Sequence, residues 1–299
     1  MNQGKGEGDH EDRYRNRISI ETREIKSGAS YAMLTRIKEL FINKYPRNGS
    51  GPRSKIQPSP ILILGNQKSG TSAITHLLAE YGAVSRTVDI PEIWWPTLGD
   101  LLNGKTRLDD IAKKHPQPFS TRIVKEPNLT FFYDDLSRMY PDASFVFVVR
   151  DPRANIRSIL NRLSIPGHLK ELELDKSGMN EAWKNVFISP VGELDQDRHY
   201  INILATRWNH TADVYLEHAK KIILVRYEDF VADKVGCIGG LAQALGIPQK
   251  RDISAKVDIQ YQPRGDRKIS WLEFFGEENL RRITDNCGGR MEKFGYPVL

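Results

Sequence analysis

The stretch "ILILGNQKSGTSAITHLLAEYG", Ile61 to Gly82, decides the fold. The apolar run Ile61 to Leu64 reads as a strand, a turn holding Gly65 and Gly70 follows, and a helical pattern starts near Gly70. A strand ending at Leu64 or Gly65 and a helix beginning near Gly70 aim several backbone N–H groups, and the positive end of a helix dipole, at one point. Oxyanions bind such points. Gly65 and Gly70 match the two glycines of the Walker A pattern G-x-x-x-x-G-K-S/T, but Thr71 and Ser72 come next and the pattern's lysine is missing. Lys68 sits in the loop itself, before the second glycine. There it suits a shorter group held beside a first phosphate, with the Ser69, Thr71 and Ser72 hydroxyls as further donors. The plain alternative is a glycine turn carrying a solvated lysine; the ordered succession of strand, glycines, hydroxyls and helix favours the anion site.

Outward from that stretch, short β-branched runs alternate with longer helical ones. Strands are expected at Ile61 to Leu64, Thr121 to Val124, "SFVFVVR" from Ser144 and "KIILVRY" from Lys221. Strands apolar on both faces and separated by helices imply a parallel sheet covered on both sides. The expected fold is therefore α/β, a three-layer P-loop-like domain with a central parallel sheet flanked by helices, and its ligands belong at the carboxyl ends of the strands. Residues 1–17 are polar and almost without apolar side chains, so a disordered tail is expected there. Residues 18–57 read as an N-terminal helical extension, with an amphipathic helix from Tyr31 to Lys44, and a Pro/Gly/Ser-rich linker; residues 58–299 read as the main domain.

Composition sets the limits. The chain has 299 residues, 39% hydrophobic and 27% charged, enough for one substantial core. No window approaches a membrane-spanning length and the N-terminus lacks a signal-peptide core, so a cytoplasmic protein without stable membrane insertion is expected. Cys237 and Cys287 are far apart and outside any metal-ligand spacing, and the histidines form no HExxH or paired pattern. No metal is expected. The net charge of +6 favours an anionic ligand, and without aromatics interleaved among the basic residues a nucleic-acid partner is not expected.

A second motif, "FVFVVRDPRANIRSIL", puts Arg150 at the end of a strand, Pro152 at a helix start and Ser158 about two turns further on. A guanidinium and a hydroxyl so placed can converge on a second phosphate. The alternative is an Arg150 paired with Asp151 or Glu228, and a Ser158 that merely packs.

These residues resemble a family. "NQKSGTSAI" is similar to the 5′-phosphosulfate loop of the PAPS-dependent sulfotransferases, and "RDPRANIRS" resembles their 3′-phosphate motif, with the same Arg-to-Ser separation. "VKEP" from Val124, "LVRYEDF" from Leu224 and the closing "GYPVL" are similar to segments of the carbohydrate, tyrosyl-protein and bacterial branches; the likeness spans about Pro60 to Leu299. PAPS carries one 5′-phosphate bearing sulfate, so a Walker lysine would have nothing to hold.

The resemblance implies sulfuryl transfer from PAPS to a hydroxyl of a carbohydrate, glycoconjugate or secondary metabolite, releasing PAP. It implies that Lys68 stabilises the leaving phosphate, that Ser69, Gly70, Thr71, Ser72 and Ala73 cradle it, and that Arg150 and Ser158 hold the 3′-phosphate. Arg264 in "YQPRGDRK" is a late-chain phosphate contact in this reading, with Arg267 and Lys268 as alternatives. "RIVKEPNL" lacks the histidine of the aryl branch. Glu92 in "DIPEIWW" stands where other branches place a glutamate base, with Asp89 and Glu126 as rivals, and Lys125 would neutralise the sulfuryl oxygens. The partner is a small-molecule or glycan acceptor, with a homodimer left open. Trp94, Trp95 and Trp183 read as an acceptor surface or as core, and Trp208 as core. The segment from Ile165 to Gln196 reads as an acceptor-side insertion. Two alternatives stand beside this reading: a P-loop kinase or NTPase using ATP with Mg²⁺, and a non-catalytic nucleotide-binding relative.

Overall fold

Ile61–Gly65 forms the central strand β1, and all five of its residues are buried. A computed structural model describes residues 56–94, 96–172, 183, 185–187, 199–259 and 269–298. The tail, the helix expected over Tyr31 to Lys44, most of the linker, Trp95 and Arg264 lie outside the described residues. β1 is flanked by β3 (Ile123–Lys125) and β4 (Ser144–Val149); β2 (Arg86–Val88) extends the sheet beyond β3, and β5 (Ile222–Arg226) extends it beyond β4. All pairings are parallel, in the order β2-β3-β1-β4-β5.

Two details differ from the sequence reading. β2 was not expected, because a three-residue run, Arg-Thr-Val, carries too little periodicity to announce itself; its register against β3 makes it a strand. The strand expected from Thr121 starts at Ile123 instead. Thr121 spends its hydroxyl on the Ile123 carbonyl and on Thr87 Oγ1, at 2.8 and 3.0 Å, which makes it a local brace ahead of the strand.

The pleat sorts the core into two layers. Ile61, Ile63, Val146 and Val148 pack with α1 (Thr71–Gly82), whose Ile74, Leu77 and Leu78 are fully buried, and with Ile238, Leu241 and Ala242 of a later helix, Lys234–Ala244. On the other side Phe147 stacks on Tyr215 at 5.6 Å, and Trp208 meets Phe294 edge-on at 6.1 Å. Full burial of each such aliphatic side chain is worth about 1.5–3 kcal/mol, so the sheet anchors both layers. In order after α1 come α2 (Thr97–Leu102), α3 (Leu108–Lys114), α4 (Tyr133–Met139), α5 (Pro152–Leu163), α6 (Tyr200–His218), α7 (Tyr227–Ala232), α8 (Lys234–Ala244) and α9 (Trp271–Lys293). α9 is capped by Ser270 Oγ, which accepts from Glu273 N, and it breaks at Gly276, where φ is 69°. Trp208 is core, as expected, and its indole N–H donates to the Arg150 carbonyl at 2.9 Å. No helix among the described residues is long and apolar enough to cross a membrane.

Candidate functional site

The turn from β1 into α1 is shaped by its glycines. A Cβ on Gly65 would lie 2.4 Å from the Val148 carbonyl oxygen, because β4 runs against it in register. A Cβ on Gly70 would meet the Tyr227 ring at 2.3 Å, and its φ of 98° suits glycine. Lys68 adopts a left-handed φ of 65°, and Arg150 Nη1 donates to its carbonyl at 2.8 Å. α1 starts at Thr71 without a side-chain cap, so its first N–H groups face the turn.

Asn155, buried in the first turns of α5, stitches the loop from beneath. Its Nδ2 donates to the Gln67 carbonyl at 2.7 Å and to Ser69 Oγ at 3.0 Å, while its Oδ1 accepts from Asn66 Nδ2 at 3.0 Å. Gly65 N donates to Thr130 Oγ1 at 2.9 Å. A loop held at so many points is pre-organised, and its N–H groups keep their direction.

Charge converges here. Burial comes first among the causes that lower the Lys68 pKa to about 8, followed by Arg162, Arg150 and Lys125. Lys125, the last residue of β3, is 3% exposed and pairs with Asp89 Oδ1. Arg150 directly follows β4, and its guanidinium lies over the Tyr227 ring at 4.5 Å. The carboxylates beside it have other partners: Asp151 caps α5 and pairs with Arg153 at 2.6 Å, and Glu228 accepts from Asp151 N and the Tyr296 hydroxyl. Ser158 is half-buried, two turns into α5.

Glu92 is half-buried on the 3₁₀ turn Pro91–Ile93 that follows β2. Asp89 has a φ of 66° and donates its N–H to the Lys125 carbonyl at 2.8 Å. Glu126 is 2% exposed, and both its oxygens are engaged: Oε1 accepts from Asn128 N, and Oε2 from Ile90 N and Trp94 Nε1, all at 3.0 Å. Burial, then Asp89, pushes its pKa up against the pull of Lys125. A carboxylate so occupied is placed to brace the turn, and has no oxygen turned to an acceptor.

The structure thus brings Lys68, Ser69, Gly70, Thr71, Arg150 and Lys125 to one edge of the sheet. Ser72 and Ala73 lie in the first turn of α1, where Ala73 packs on the core beneath. Sequence reasoning missed Asn66, Gln67, Asn128, Asn155, Arg207 and Arg162. Arg162 had a usable signal, since it stands four residues after Ser158 and so shares its helix face. Trp94 is half-buried through its bond to Glu126, and Trp183 faces Arg162, 5.7 Å from its guanidinium. Among the described residues no group of three or more His, Cys, Asp or Glu is arranged for a metal ion.

Against known proteins, no curated sequence matches the chain. Several solved structures resemble it at low identity. Sulfotransferase STF9 from Mycobacterium avium is 13% identical, with 87% of this chain and 82% of that one covered and a TM-score of 0.49. The sulfotransferase domain from the curacin biosynthetic pathway is 12% identical (81% and 99% covered, TM-score 0.47), and the Alicyclobacillus acidocaldarius sulfotransferase 13% (80% and 97%, 0.47). The model of the sulfotransferase family matches residues 103–251, a span that runs from before β3 through the end of α8. With that match laid over the strand, turn and helix that carry Arg150 and Ser158, the chain belongs to the sulfotransferase family.

Proposed function

We propose that the protein moves a sulfuryl group from PAPS to a hydroxyl of a carbohydrate, glycoconjugate or secondary metabolite and releases PAP. The supporting observation is the half-buried Lys68 in a loop that Arg150 holds by its backbone: burial first, and then the charges of Arg162, Arg150 and Lys125, lower its pKa, and an anion is the natural complement of such a site. The glycine cradle fits a single phosphate: the Tyr227 ring closes it against a Cβ at Gly70, and no lysine follows that glycine to reach a γ-phosphate.

Bound there, PAPS supplies an activated sulfuryl group on a 5′-phosphate leaving group. The N–H groups at the start of α1, with Ser69, Gly70, Thr71, Ser72 and Ala73, would hold that phosphate, and Lys68 would offset the charge gathering on it as the sulfur–oxygen bond breaks. Arg150 and Ser158 would take the 3′-phosphate, joined by Arg264 from a segment outside the described residues. Lys125 would face the sulfuryl oxygens. Glu92 would accept the acceptor hydroxyl's proton as its oxygen bonds to sulfur, a role typically worth about 10²- to 10⁴-fold. In this reading residues 58–299 form the catalytic domain of a cytoplasmic enzyme acting on a small molecule or glycan.

The decisive experiment compares thermal shifts with PAP, ADP and ATP, each with and without Mg²⁺. PAP alone should raise the melting temperature in a concentration-dependent way. A large shift with Mg-ATP and none with PAP would instead establish a kinase or NTPase.

A further inference from the structure

We propose that Arg207 is a positioning residue that ties the Glu92-bearing turn to the phosphate loop, acting through Gln67, Asn128 and Glu126. The proposal rests on the reading of that loop as the donor site and of Glu92 as the base.

Arg207 lies on α6 and is 1% exposed. Among the described residues its hydrogen bonds all go to neutral oxygens. Nε and Nη2 donate to Gln67 Oε1 at 3.1 and 3.0 Å, Nη2 also donates to Asn128 Oδ1 at 2.8 Å, and Nη1 donates to the Asn185 carbonyl at 3.3 Å. The Phe131 ring lies 4.7 Å from the guanidinium. Burial lowers its pKa, and the Glu126 charge, which it does not touch, is what opposes that fall. A buried cation that touches no carboxylate among the described residues is costly to keep, so a purely packing role would be served better by an apolar side chain.

What the cation does is set direction. An amide side chain can be turned either way, but a guanidinium only donates and so selects the amide oxygen as its partner. Arg207 therefore fixes Gln67 with Oε1 toward itself and Nε2 toward Asn128 Oδ1, the last contact being 3.0 Å. Asn128 in turn sends its N–H to Glu126, and Glu126 receives Ile90 N and Trp94 Nε1, the two ends of the turn that holds Glu92. The positive charge of Arg207 also favours the carboxylate form of Glu126 that can accept all three donors. The loop backbone is held separately by Asn155, so donor binding does not depend on Arg207.

The test uses the full chain with Arg207→Lys, which keeps the charge and loses the fork, and Arg207→Met, which loses both. Amide hydrogen exchange is measured residue by residue, PAP binding by calorimetry, and PAPS turnover with water as acceptor, which yields PAP and sulfate. Exchange at Ile90 and Asn128 should quicken, and turnover fall, by at least about tenfold in both variants, while α8 exchanges as in the wild type and the PAP dissociation constant stays within about threefold. Should Arg207→Met fail to fold, Arg207→Lys carries the test. Wild-type exchange at Ile90, uniform acceleration that includes α8, or a loss of PAP affinity in step with turnover would each overturn the proposal. A wild-type protein that binds no PAP would overturn the PAPS reading alone, since the exchange comparison needs no ligand.

Discussion

Arg150 Nη1 donates to the carbonyl oxygen of Lys68 at 2.8 Å, so the arginine that follows β4 also holds the backbone of the loop between β1 and α1. Arg150 is 8% exposed and its guanidinium is spread over the Tyr227 ring at 4.5 Å, which leaves it little freedom to leave that bond. One planar cation therefore joins the loop to the place where a second phosphate would sit.

The first prediction follows from this double duty. Arg150→Ala should weaken binding of PAP, adenosine 3′,5′-bisphosphate, by about 10- to 100-fold, since hydrogen bonds to charged groups are worth about 1.5–3 kcal/mol. AMP, which lacks the 3′-phosphate, should lose much less. Calorimetry with both nucleotides checks it, and equal losses for the two would remove Arg150 from the 3′-phosphate.

Lys68 gives a dependence on pH. Its native pKa is lowered from 10.5 to about 8, chiefly by burial and then by Arg162, Arg150 and Lys125. Between those two values the unfolded chain binds more protons than the native one, so its contribution to stability improves as pH rises from about 8 toward 10.5. An anion in the site restores the ammonium, and PAP binding above that lower value should take up a proton and weaken as pH rises. Calorimetry in buffers of different ionisation enthalpy at several pH values would show the uptake. Lys68→Met should abolish it and, by loss of charge stabilisation at the leaving phosphate, slow turnover by about 10²-fold or more.

How much of this was legible depended on how local each signal is. The strand, turn and helix of residues 61–82 declare themselves within one window, and so does the run from Ser144 through Ser158, because apolar periodicity and turn chemistry are short-range. β2 was silent: three residues at the sheet edge are defined by partners on β3 and not by their own pattern. The polar framework was silent for the same reason. Gln67 meets Asn128 and Arg207 across 61 and 140 residues of chain, and Asn155 meets Ser69 across 86, so only the folded sheet brings them together. Glu126 illustrates the limit from the other side, since its neighbourhood in sequence is that of a rival base, whereas three N–H donors occupy it in space.

Gly70 offers a test of the cradle. Gly70→Ala should cost about 1–3 kcal/mol of stability from the left-handed backbone. It should also displace the Tyr227 ring, 2.3 Å from the added carbon, and with it the guanidinium stacked on that ring, so PAP affinity should fall too. Gly104→Ala is the control: φ there is 68° but nothing lies within 4 Å of the added carbon, so it should lose stability alone. Urea denaturation with and without PAP separates the two effects.

The identity of the base can be settled with two conservative changes. Glu92→Gln should leave PAP affinity unchanged and lower turnover by about 10²- to 10⁴-fold, the range for loss of a positioned proton acceptor. Asp89→Asn keeps a residue type that tolerates the φ of 66° found there, so the backbone bond from Asp89 N to the Lys125 carbonyl should persist. It removes the charge that pairs with Lys125, however, and the ammonium then adds to the field around Lys68. PAP should bind a few-fold more tightly, with the gain shrinking as salt is raised, because an added cation is screened like any other. Turnover in Asp89→Asn should remain well above that of Glu92→Gln. The reverse order, with Asp89→Asn inactive and Glu92→Gln active, would move the proton acceptor from the 3₁₀ turn to the end of β2.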